Sequence, residues 1–193
     1  MGARADKIRL NIFMKRQLLT SLTFALLAIS SFKAEAVPHR KSLDHKSDQY
    51  LSEGVFVGGR SGMGGTLLDL RRSFDKGAQA ERIVLDWGDE KGRPLLGKIG
   101  FFHVGLDKKN RRAVIDLTQV SQSGLTEEAV VKRLKASPVI KRSQLIFDPF
   151  NVSTQLILDF KSDVAVEAFY LLDPKKPARL VLDLRPLKGG AKR

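Results

Sequence analysis

The run RLVLDL, residues 179–184, carries a single carboxylate near the end of a strand-like apolar stretch, and its frame occurs three more times: RIVLDW at 82–87, RAVIDL at 112–117 and QLILDF at 155–160. Successive side chains of an extended strand face opposite ways. Ile83, Leu85 and Trp87 then point one way, and Arg82, Val84 and Asp86 the other. The phase is the same for Arg112, Val114 and Asp116, for Gln155, Ile157 and Asp159, and for Arg179, Val181 and Asp183. One side of each run is wholly apolar and must be buried. The other ends in a carboxylate, which is costly to desolvate inside a parallel sheet and cheap on the solvent face of an antiparallel one. The four runs read as half-buried antiparallel strands.

The runs belong to a diverged duplication. Residues 74–87, FDKGAQAERIVLDW, align without a gap on 147–160, FDPFNVSTQLILDF, at an offset of 73. Residues 101–117 resemble 167–184, each with a Leu-Asp followed by a Lys-Lys turn. The halves, 67–120 and 139–186, each supply about four strands, expected near 66–73, 82–87, 99–105 and 111–117, then near 140–147, 154–160, 163–171 and 179–184. Between them LTEEAVVKRLKAS, 125–137, has a capping Thr126, acidic residues in its first turn, basic residues in its last and Pro138 just beyond, so it reads as a helix. The expected fold is mostly β: a two-layer antiparallel β-sandwich of two pseudo-symmetric halves with one connecting helix, each sheet coming from one half.

The 193 residues suit one such domain with some flanking sequence. Near the N-terminus Lys15 and Arg16 precede an apolar run from Leu18 to Ile29, and Ala34-Glu35-Ala36 follows as a small-x-small cleavage site. That is the layout of a secretory signal peptide, and the run is too short for a membrane-spanning helix. Residues 1–36 are thus expected to be removed, with Met14 an alternative start, leaving a chain with no transmembrane anchor. That chain would hold 28 Lys and Arg against 19 Asp and Glu and no cysteine, which excludes disulfides and thiol-linked lipid. An exported basic protein favours anionic envelope components over nucleic acid. Residues 37–65 read as a flexible polar and Gly-rich segment with a short edge strand at 55–57; its glycines lack the Gly-Lys-Ser/Thr ending of a phosphate loop. The domain is expected over 66–187, with 188–193 a basic tail.

Reactive chemistry is sparse. His39, His45 and His103 are the only histidines, and a zinc hydrolase site needs several converging His and carboxylate ligands. Asp86, Asp116, Asp159 and Asp183 could form carboxylate pairs, but an acid catalyst wants an apolar concave pocket rather than a sheet face beside arginines. Trp87 falls on the apolar side and reads as core filling. No enzyme activity and no cofactor are expected. The Arg and Asp ladder reads either as cross-strand ion pairs worth about 0.2–1 kcal/mol each or as a ligand face, its guanidiniums forking onto ligand carboxylates while its carboxylates accept from hydroxyls or amines.

The repeated Arg-apolar-apolar-apolar-Asp-apolar strands, the ending FYLLDPKKPARLVLDL and the opening SPVIKRSQLIFD of the second half resemble an AMIN domain, over roughly residues 66 to 187. Domains of that family are periplasmic β-sandwiches attached to cell-wall amidases and to secretins of envelope machines. The resemblance implies a periplasmic, non-catalytic module that binds peptidoglycan as an adaptor or targeting factor of a Gram-negative-type envelope. The ligand-binding positions it implies are Arg82, Asp86, Arg112, Asp116, Asp159, Arg179 and Asp183. Gln155 departs from the Arg expected in the third strand, and no catalytic domain follows the last run. The candidate protein partners are an amidase or a secretin, and the alternative expectation is a protein-interaction subunit whose sheet edges pair by strand addition with a secretin or another pilus-type envelope machine.

Overall fold

A computed structural model describes residues 40–42 and 46–187. The expected signal segment 1–36 and the tail 188–193 lie outside the described residues. The elements are β1 (Arg40–Ser42), β2 (Gly54–Gly58), β3 (Gly65–Asp75), β4 (Ala80–Gly88), β5 (Phe102–Asp107), β6 (Arg112–Thr118), β7 (Val120–Ser123), α1 (Glu127–Leu134), β8 (Ile140–Asp148), β9 (Ser153–Phe160), β10 (Val164–Leu171) and β11 (Arg179–Pro186). Two sheets result. Sheet A has the order β1-β2-β5-β6-β9-β8 and sheet B the order β10-β11-β4-β3-β7. The pairs are antiparallel except for the short outermost strands β1 and β7, which lie parallel to β2 and β3.

The four repeated runs are β4, β6, β9 and β11, and they occupy adjacent central positions in the two sheets. Their apolar phases face inward: Ile83, Leu85, Trp87, Ala113, Ile115, Leu117, Leu156, Leu158, Leu180, Leu182 and Leu184 are all buried. Each large side chain removed from water in this way contributes about 1.5–3 kcal/mol against the entropy of ordering the chain. The helix begins where expected, with Thr126 Oγ1 accepting from Ala129 N at 3.2 Å, and it packs Val130 and Leu134 against β8 and β3, closing one open side of the sandwich. On the other side Leu51 bridges Val166 of β10 through paired backbone hydrogen bonds.

The structure corrects the expected assembly of the halves. Neither sheet comes from one half: β5 and β6 of the first half pair with β9 and β8 of the second, while β10 and β11 of the second pair with β4 and β3 of the first. Hairpin partners stay together because their turns are short, at residues 76–79, 108–111, 149–152 and 172–178. Between hairpins the chain changes sheet across the longer segment 89–101 and around the three-residue corner 161–163; it also crosses at 59–64 and at 119, and returns to sheet A through 124–139. The pseudo-twofold relation survives in this form, since β5-β6-β9-β8 in one sheet corresponds strand for strand to β10-β11-β4-β3 in the other.

A second correction concerns the boundary at 66, although the short strand expected at 55–57 is present. Gly54–Gly58 forms β2, paired with β5, and Phe56 is completely buried. The glycines expected to make this stretch flexible serve close packing instead. Gly59 has a φ of +80°, and a Cβ there would run into the carbonyl oxygen of Gly100. Gly65 lies against the Trp87 indole, so a methyl group would displace that ring.

Candidate ligand-binding faces

The seven expected site residues divide between the two outer sheet faces. Five lie on strands that alternation alone orients outward as foreseen, but Asp86 and Asp183 are not the exposed carboxylates that half-buried strands suggest: they retain 8% and 5% of their surface. Arginines cover them. Arg82 holds Asp183 with Nε at 2.6 Å from Oδ1 and Nη2 at 2.7 Å from Oδ2. Arg71 of β3 holds Asp86 in the same forked way, at 3.0 and 2.7 Å. The hydrogen bonds to these carboxylates raise the affinity of both guanidiniums for their protons. Arg179, which faces Asp86 in register, is left with a buried Nε that has no partner among the described residues.

Sheet A repeats the ladder with different partners. Asp159 of β9 lies opposite Arg112 of β6 on one side and Arg142 of β8 on the other. Arg112 Nε donates to Oδ1 at 2.7 Å and Arg142 Nε to Oδ2 at 3.0 Å. The Arg112 hydrogen bond pulls the Asp159 carboxyl below the usual range; burial pushes the other way, and the Arg142 bond adds to the pull. Four residues along the strands Asp116 faces Gln155, whose Nε2 donates to Oδ2 at 3.1 Å. Asp116 Oδ1 is buried without a partner. This is the residue-level consequence of the departure at 155: the equivalent position in sheet B is Arg82, which satisfies both oxygens of its aspartate.

The faces also differ in what lies over them. Residues 46–51 run along sheet B. Ser47 N donates to Glu167 Oε1 at 2.7 Å, and the Arg185 guanidinium stacks 3.9 Å from the centre of the Tyr50 ring. Glu167 is completely buried, with Oε2 unpartnered. What remains open beside Arg82 and Asp183 is a cleft of about 310 Å³ that Lys46 and Tyr50 help to line. Sheet A is broader and open. At its end near the turns 108–111 and 161–163, a cleft of about 760 Å³ is lined by Arg112, Asp159 and several further cations.

Arg71 and Arg142, which complete the two ladders, were missed by the sequence reading. The motif frame sees only residues within one run, whereas both arginines come from the neighbouring strand. Their positions follow once the register of β3 on β4 and of β8 on β9 is known. His103 belongs to the sheet A face as well, opposite Asp116 on β5. Among the described residues no three His, Cys, Asp or Glu side chains converge as a metal site would require. No helix among them is long and apolar enough to cross a membrane.

Compared with family models and with curated proteins, the chain matches neither.

Proposed function

We propose that the protein is an exported, non-catalytic, AMIN-like module that binds peptidoglycan in the periplasm and acts as an adaptor or assembly factor of the envelope. The observation that carries this reading is the open outer face of sheet A, where Arg112, Asp116, Gln155 and Asp159 stand side by side on central strands. Such a face suits a glycan bearing short peptides. Guanidinium nitrogens not used within the ladder, such as the two terminal nitrogens of Arg112, meet peptide carboxylates. Sheet B offers less, because both oxygens of Asp86 and of Asp183 are already occupied.

Co-sedimentation with isolated peptidoglycan sacculi tests the reading. Wild-type protein should pellet with sacculi at 0.15 M salt, where exposed charge attraction is screened beyond about 8 Å. Asp116→Lys with Arg112→Gln should pellet less while keeping the wild-type circular dichroism. Wild-type protein left in the supernatant would end the proposal, and a variant that pellets like wild type would remove the face from it.

A second reading, an interaction subunit that accepts a partner by strand addition, has its own support at the far end of sheet A. The outer edge of β8 pairs with no strand among the described residues. Its hairpin tip exposes Ile146, Phe147, Phe150 and Val152, with Phe150 at 96%. Val152 has a φ of +47°, a conformation that β-branched residues avoid. The equivalent tip, 76–79, is Lys-Gly-Ala-Gln. Site-specific crosslinking from position 150 to another envelope protein, undisturbed by the Asp116 and Arg112 changes, would favour this reading.

A further inference from the structure

The cleft of about 760 Å³ at the end of sheet A is lined by Lys109, Arg111, Arg112, Lys141, Arg142 and Lys161. These cations come from three places that meet only in the fold: the β5–β6 turn, the start of β8, and the corner after β9. Their carboxylate partners are too few. Asp159 is shared by Arg112 and Arg142, and Asp163 holds Arg111 at 2.8 Å. Asp107 is occupied by the backbone and side-chain amides of Asn110 in its own turn. Lys109 and Lys141 have no partner among the described residues, and Arg112 uses only its Nε, leaving both terminal nitrogens free to donate. Lys161 spends one donor on the Ser137 carbonyl at 2.6 Å and keeps two.

The duplication supplies a control within the molecule. The offset of 73 that aligns β8 and β9 on β3 and β4 places Leu68, Asp69 and Gly88 at the positions of Lys141, Arg142 and Lys161, and the aligned RAVIDL and RLVLDL runs place Ala178 at that of Arg111. Of the six cations the other sheet keeps only the counterparts of Lys109 and Arg112, which are Lys176 and Arg179, so most of the cluster's charge does not follow from the fold. Gathering like charges at one rim is unfavourable unless an anion neutralises them.

We propose that this cleft is a binding site for a doubly phosphorylated group, either two neighbouring phosphomonoesters or a pyrophosphate. A single carboxylate cannot neutralise the free cations of the site. A bisphosphate presents several charges and enough acceptor oxygens to take the Arg112 fork and the two unpaired lysines together. The site shares Arg112 and Asp159 with the proposed peptidoglycan face but adds lysines that the face lacks, and the inference does not depend on peptidoglycan binding.

Titration calorimetry of the purified protein with inorganic pyrophosphate tests it, with acetate as the control. Saturable binding is expected for pyrophosphate and none for acetate. Lys109→Glu with Lys141→Glu, at two exposed residues without partners, should weaken binding at least about fivefold with an unchanged melting temperature, as loss of two surface charge contacts implies. Flotation with phosphatidylcholine vesicles, with and without phosphatidic acid, distinguishes the source. Capture by the acidic vesicles alone points to a lipid headgroup, and pyrophosphate binding without capture points to a phosphorylated polymer or solute. No saturable pyrophosphate binding, or equal affinity in the double variant, overturns the proposal. Unchanged sacculus pelleting by the double variant is expected, which separates this site from the peptidoglycan face.

Discussion

Asp116 and Asp183 occupy equivalent places on β6 and β11, yet one carboxylate is half satisfied and the other fully so, because Gln155 stands where the other sheet has Arg82. An unpaired buried oxygen costs free energy. Gln155→Arg should therefore stabilise the protein, by up to about 1 kcal/mol in urea denaturation, through a fork onto Asp116. Asp159 gives a prediction in pH. Its carboxyl titrates below the unfolded value of about 3.9, so its stabilising effect is fully present above that value and is lost as pH falls through the folded one. The stability difference between wild type and Asp159→Asn, followed by thermal melts, should be constant from pH 7 to about pH 5 and shrink below pH 4.

At the scale of elements, the apolar phase of the four runs, the turn positions and the helix were all legible before the structure, because alternation and capping are local properties. Eight strands lie within a few residues of their expected places, and Trp87 is core as its phase requires. The pairing of the halves was not legible. Each run satisfies the same alternation next to any partner, and the connections between hairpins, 89–101, 119–139 and 161–163, decide which sheet a hairpin joins. The glycines of 54–65 were misread for a related reason: composition cannot tell a glycine that moves from one that lets Trp87 or the Gly100 carbonyl approach closely. Glu81 ties several elements together and was likewise invisible to the strand frame. Its side chain is completely buried on β4, paired with Arg72 of β3 at 2.9 Å and with Ser137 Oγ at 2.5 Å, while Ser137 Oγ also accepts from Ile140 N at the start of β8. Glu81→Gln should cost about 3 kcal/mol, as loss of one member of a buried ion pair does, read as a lower urea midpoint with an unchanged slope.

For the molecule as a whole, the two sheets share a strand plan and differ in what their outer faces can do. Sheet B has spent its ladder internally and carries residues 46–51 across it. Sheet A keeps the terminal nitrogens of Arg112 open on its face, an apolar hairpin at one end and a cationic cleft at the other. The seven candidate residues were legible as outward-facing from one sequence. Their inequality was not, because it depends on partners brought in from neighbouring strands. Nuclear magnetic resonance of ¹⁵N-labelled protein titrated with soluble muropeptides tests the central claim most directly. The account predicts amide shift changes concentrated at residues 103, 112–116 and 155–159 on sheet A, with 82–86 and 179–183 on sheet B nearly still. Changes confined to sheet B, or none at saturating muropeptide, would contradict it.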